Sequence, residues 1–145
     1  MTVKTGGIRG PGIFLAQFLA AEAPFDTLAN QARWAASLGY KGIQLPTLGP
    51  QCIDLQRAAE SQAYCDELKG ICAEAGVEIS ELSTHLQGQL VAVHPAFDNL
   101  FDDFAPAPLR GRPQARTEWA VDQLKLAAQA VSYTHLRAHE TLRYL

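Results

Sequence analysis

The spacing of apolar positions changes several times along the chain. Residues 12–19 form a near-continuous apolar run with two phenylalanines, preceded by Gly10-Pro11-Gly12 and followed by Glu22 and Pro24. A short unbroken run of this kind predicts a strand buried on both faces. From Asp26 the period becomes helical. Leu28, Ala32, Ala35 or Ala36 and Leu38 share one stripe, with Asp26 as N-cap and Gly39 as the stop. Residues 40–45 predict a second strand, closed by Pro46 and the turn-rich Leu48-Gly49-Pro50. One long helix is expected from the N-cap Asp54 through Ala58, Ala59, Ala63, Leu68, Ile71 and Ala75 to the left-handed terminator Gly76, with Gly70 softening it. Residues 77–84 follow as a third strand candidate with His85 just beyond its end.

Residues 86–113 contain Pro95, Pro106, Pro108 and Pro113 and keep no period, which predicts a long excursion with one short helix around 97–101. Helical spacing returns over 114–130 through Trp119, Ala120, Leu124, Leu126 and Ala127. Strands alternating with helices imply an α/β protein with a parallel sheet and right-handed crossovers. A small open sheet and part of a (β/α)₈ barrel both satisfy that order. A chain of 145 residues favours the open sheet by length, because a complete barrel needs about 250 residues.

Composition narrows the class. With 48% hydrophobic and 19% charged residues the chain is an ordinary globular sequence, which excludes disordered, collagen-like and membrane-spanning classes. A net charge of −3 with scattered Lys and Arg gives no basic stripe, which argues against nucleic-acid binding by bulk electrostatics. Three cysteines without paired spacing point to free thiols and a reducing, cytoplasmic location. Lys4 and Arg9 before an apolar run, with Ala21-Glu22-Ala23 after it, have the outline of a secretory signal. Gln17 divides that run, glycines and Pro11 load its approach, and it falls short of the ~20 residues that span a bilayer, so a strand is expected instead.

Three segments carry a resemblance. Residues 12–18 (Gly-Ile-Phe-Leu-Ala-Gln-Phe), 38–46 (Leu-Gly-Tyr-Lys-Gly-Ile-Gln-Leu-Pro) and 78–89 (Glu-Ile-Ser-Glu-Leu-Ser-Thr-His-Leu-Gln-Gly-Gln) occur in an order and spacing similar to the amino-terminal half of the xylose isomerase-like barrel family, in its sugar phosphate isomerase/epimerase branch. The resemblance covers residues 8–130 and reverses the preference drawn from length. It implies a truncated (β/α)₈ TIM barrel of about three βα units. It also implies a parent enzyme that uses a divalent metal held by Glu, Asp and His at strand ends, mostly on later strands, to move a proton or hydride between adjacent carbons of a sugar or sugar phosphate. On that reading residues 1–130 are the barrel portion, and the chain alone is an inactive fragment that binds no metal tightly.

Residues 131–145 resemble no part of that family. Val131 to Thr141 reads without a mismatch as translated transposase-type sequencing adapter, so this tail is expected to be non-native. His135 and His139, four apart beside Glu140, would otherwise suggest a metal site on a helix. Without Arg137, Arg143 and Glu140 the remainder carries ten basic and fourteen acidic residues, about −4.

Among the remaining residues, His85 follows a strand and faces the end of a barrel where reacting groups gather, making it the leading candidate for substrate contact. Glu81 joins it if the alternation Val77, Ile79, Glu81, Ser83, His85 persists; a one-residue slip would turn it outward. Gln17 and Gln87, with Gln44 and Gln89, offer amides that both donate to and accept from sugar hydroxyls. His94, Asp98, Asp102 and Asp103 could suggest a cation site, but Phe97, Leu100, Phe101 and Phe104 suggest a lid packing its apolar side with carboxylates in water. Cys65 and Cys72 read as small buried groups, and Cys52 has no base partner. No nucleophile triad, phosphate loop or dinucleotide fingerprint is present. Two rivals remain open: a noncatalytic half-barrel that dimerises to complete its sheet, and an apurinic endonuclease-like barrel, which the lack of a basic groove argues against.

Overall fold

Three strands, β1 (Gly12–Phe14), β2 (Gly42–Pro46) and β3 (Glu78–Ser83), pair in parallel in the order of the chain. They belong to a computed structural model that describes residues 8–134, a mixed α/β fold. The first strand is shorter than its apolar run. Leu15 turns into helical backbone (φ −89°, ψ −14°) and is fully buried, although its N–H still donates to the Gln44 carbonyl at 3.2 Å. Residues Ala16–Phe18 then form a 3₁₀ turn that swings Phe18 onto Phe25 and Trp34, with ring centroids 5.8 and 4.8 Å away. Burying an aromatic ring against the next helix outweighs extending a strand.

The first helix, α1 (Leu28–Ser37), is capped by Thr27 rather than Asp26. The Thr27 hydroxyl accepts from the Asn30 amide at 3.3 Å, while Asp26 accepts from the Asn30 side chain at 2.7 Å. Both residues are N-cap formers, and the one nearer the helix takes the role. Gly39, at φ +88°, supplies the left-handed stop.

The single helix expected over residues 54–75 is two. α2 (Leu55–Glu60) starts at Asp54, whose carboxylate accepts from the Arg57 amide at 3.0 Å. Ser61 leaves helical backbone (φ −134°) and caps α3 (Gln62–Ala75), accepting from the Tyr64 amide at 3.2 Å. The break lets the Tyr64 hydroxyl accept from the Asp54 N–H at 3.0 Å and places Arg57 over the Tyr64 ring. Gly70 lies inside α3 without interrupting it, and α3 ends at Gly76.

One core joins sheet and helices. Ile43, Leu45, Val77 and Ile79 pack with residues of α1, α2, α3 and α6 (Pro113–Thr134), including Ala32, Leu55, Cys65 and Ala127. On β2 the neighbours of Ile43 and Leu45 in sequence point the other way, so Gln44 faces away from the helices. The expected alternation of β3 fails at a bulge. Ile79 pairs with Ile43, but the next pair is Glu81 with Gln44, leaving Ser80 as the extra residue. Ile79 and Leu82 therefore serve the helix side, and Glu81 joins Gln44 on the opposite side.

Between β3 and α6 the chain forms α4 (His85–Gly88), α5 (Asp98–Phe101) and several 3₁₀ turns. The expected apolar underside of a lid is met only in part: Phe97, Leu100 and Phe104 are exposed, while Phe101 joins the second core of Leu90, Ala105 and Ala120 and lies 5.9 Å from Phe104 between ring centroids. Asp98 and Asp102 are not simply solvated either. They flank Arg116, which is 1% exposed. The final helix runs across residue 130 to Thr134, and its Tyr133 carbonyl accepts from Gln62 and Lys69, each at 3.1 Å. His135, His139 and Glu140 lie outside the described residues. No helix among the described residues is long and apolar enough to cross a membrane.

Candidate functional site at the carboxyl end of the sheet

Parallel strands end on one side, and most sequence-predicted residues gather there. Gln44 and Glu81 stand opposite one another near the ends of β2 and β3, and the Gln44 side-chain amide donates to a Glu81 carboxylate oxygen. Glu81 stays exposed, so its second oxygen is available to a ligand hydroxyl. The bulge at Ser80 makes this pair; regular alternation would have carried Glu81 to the helix side. Glu81 is thus on the face opposite the helices for a reason different from the one the sequence suggested.

His85 opens α4, two residues past β3, with an exposed imidazole. Its N–H donates to the Ser83 hydroxyl at 3.4 Å. Gln17 is exposed on the 3₁₀ turn after β1, at the same end of the sheet, rather than within a strand.

Gln87 behaves differently from the expectation. It is 1% exposed, so no ligand reaches it without displacing protein. Its amide donates to the Thr47 hydroxyl at 3.1 Å. Thr47 in turn donates its hydroxyl to the Ser83 carbonyl at 2.9 Å, and its backbone N–H reaches the same oxygen at 3.0 Å. Because the Thr47 proton is committed to Ser83, the Gln87 amide must present its nitrogen to Thr47. Its carbonyl oxygen has no partner within the described protein. Sequence reasoning missed Thr47, whose position after Pro46 carries no signal of a buried hydroxyl.

The acidic residues of the excursion are occupied by protein. Arg116 donates to both carboxylates and, at 3.0 Å, to the Asp98 carbonyl. The Gly111 amide, donating at 2.8 Å, holds the Asp102 carboxyl below its ordinary range; desolvation opposes this and Arg116 reinforces it. Burial works against the Arg116 charge, but hydrogen bonds to Asp98 and Asp102 prevail and raise its pKa. Burial acts on the thiols as well, pushing Cys52 up to about 12 and Cys72 up to about 12, the latter with a smaller push from Cys52.

Among the described residues no three His, Cys, Asp or Glu side chains converge as a metal site. At the end of the sheet one carboxylate, already paired with an amide, and one imidazole do not make a ligand set, so these residues by themselves do not fit a divalent ion. Four clefts of 260–390 Å³ occur among the described residues, one of them beside Thr47 and Leu48 just past the end of β2, and none of the four is lined by Gln17, Glu81, His85 or Gln87. Comparison with family models and with curated proteins gives no match.

Proposed function

We propose that this chain is the opening portion of a (β/α)₈ barrel whose intact form is a sugar or sugar-phosphate isomerase or epimerase, and that the Gln44–Glu81 pair with His85 belongs to its substrate-contacting end. The observation that carries the reading is the sheet. Crossovers between parallel strands share one hand, so strands added in strict sequence place their crossover helices on one face, as in a barrel or in either half of a doubly wound sheet, and the three described strands show no reversal of order. Here the order is sequential, the helices share one core with one face, and the other face presents Phe14, Gln44 and Glu81. A parallel sheet is normally covered on both sides, and closure into a cylinder covers the second.

In this reading Glu81 accepts from a substrate hydroxyl, steadied by Gln44, while His85 and Gln17 contact the sugar from the loops. The divalent metal implied by the sequence resemblance would draw its ligands from further strands. Cytoplasmic location and the absence of nucleic-acid partners belong to the same proposal.

The test uses the product of the uninterrupted reading frame. NMR would follow interconversion of a panel of aldoses, ketoses and their phosphates with Mg²⁺, Mn²⁺, Co²⁺ or Zn²⁺. Interconversion is expected, reduced about tenfold or more by Glu81→Gln, on the scale of losing a positioned acid–base or binding group. A frame that stops near codon 130, or an intact barrel inert toward the whole panel, would overturn the reading.

A further inference from the structure

We infer that Thr47 and Gln87 are positioning residues that fix where His85 stands at the end of the sheet. The inference rests on the reading of His85 as a substrate contact. Three hydrogen bonds carry it: Gln87 side chain to Thr47 hydroxyl, Thr47 hydroxyl to Ser83 carbonyl, and Thr47 N–H to the same carbonyl. Together they tie the end of β2, the last residue of β3 and the helix that His85 begins into one knot. Thr47 is 4% exposed and Gln87 1%, so neither competes for substrate and both are shielded from water.

The geometry of α4 explains why such a knot is needed. This helix has only four residues, its preceding residue Thr84 provides no side-chain cap, and the His85 N–H has only the long 3.4 Å contact to Ser83. A single turn does not hold itself in water. The bonds that bracket it are Gly88 N–H to the Thr84 carbonyl at 2.7 Å, which spans Gln87, and Leu90 N–H to the Gln87 carbonyl at 3.0 Å, which ends on it. With the anchor in place, the backbone leaving β3 has one course, and His85 has one base from which to project. Gln87 therefore acts through His85 rather than on the ligand.

The experiment uses the full 145-residue chain at low concentration. The readouts are amide hydrogen exchange at Gly88 and Leu90 and the His85 side-chain NMR resonances, in wild type, Thr47→Val, Thr47→Ser and Gln87→Leu. Thr47→Val keeps the shape but removes both roles of the hydroxyl. It is expected to speed exchange at Gly88 and Leu90 about tenfold to a hundredfold, the scale of a broken buried hydrogen bond, and to shift the His85 resonances. Thr47→Ser should restore both and Gln87→Leu should shift His85 in the same direction, while the Glu78 amide, bonded to Lys41 in the sheet, keeps its wild-type protection. Unchanged His85 resonances in Thr47→Val, or a serine variant no better than valine, would overturn the inference. If Thr47→Val loses protection at Glu78 as well, the comparison passes to Gln87→Leu against wild type, where unchanged His85 resonances with Glu78 still protected count against the inference. Failure of the functional reading looks different: His85→Ala would leave the intact enzyme's turnover unchanged while the exchange results stand.

Discussion

Replacing Arg116 by methionine removes a charge that three acceptors depend on, namely the Asp98 and Asp102 carboxylates and the Asp98 carbonyl. Methionine matches arginine in helix propensity, so α6 itself is not penalised. Breaking a fully buried ion pair from one side costs 3–5 kcal/mol, roughly, because the partner charge is left uncompensated. Here Asp98 and Asp102 keep 23% and 15% of their side-chain exposure and can recover water, which lowers the expectation to about 2–3 kcal/mol. The loss should be local to the excursion over residues 95–112, since Arg116 fastens that segment to α6. Amide exchange at Ala105 and Leu109, both bonded within the excursion, should accelerate by roughly 30-fold to 150-fold, the equivalent of that energy. The Lys41 amide, bonded to Pro11 beside the sheet, should not respond. Adding Asp98→Asn and Asp102→Asn to the methionine variant should recover part of the protection, because no uncompensated charge remains. Exchange within threefold of wild type in the single variant, or a triple variant as labile as the single, would refute this account of the clamp.

Acid should loosen the same segment. Asp102 has a depressed pKa in the folded protein, so its contribution is present above the unfolded value near ~3.9 and is lost as pH falls through the lower folded value; protection of the Ala105 amide relative to its intrinsic exchange rate, followed from pH 6 to pH 2, should fall only below about pH 4. Ser61→Ala removes the cap that starts α3 and should cost about 1 kcal/mol in urea unfolding, whereas one continuous helix at this position would gain from alanine. Cys52 and Cys72, with thiols near 12, should resist a thiol-reactive disulfide reagent at pH 8 in the native state and react promptly in denaturant; rapid native labelling of either would contradict their burial.

What the sequence revealed followed the range of the forces involved. The Gly39 and Gly76 stops, the Asp54 cap and the short helix near Phe97 depend on neighbours within a turn, and each occurs in the structure. Apolar periodicity likewise found the three strands seen among the described residues and their parallel class. Choices between adjacent candidates were not legible: Asp26 and Thr27 are both competent caps, and Ser61 reads equally as a helical residue. Features joining distant parts of the chain escaped altogether. Arg116 meets Asp98 eighteen residues away, and the Thr47–Gln87 bond spans forty, so no local pattern encodes them. The bulge at Ser80 is intermediate. The apolar positions Val77, Ile79 and Leu82 show a skipped residue, which a strict period of two disguises.

The central claim, that the face bearing Gln44 and Glu81 lines the inside of a closed cylinder, is most directly tested by the crystal structure of the uninterrupted reading frame's product. The account predicts a fourth strand parallel to β3 along its outer edge, with Gln44 and Glu81 directed into the enclosed interior. Helices packed over Gln44 and Glu81, or an antiparallel strand on β3, would contradict it.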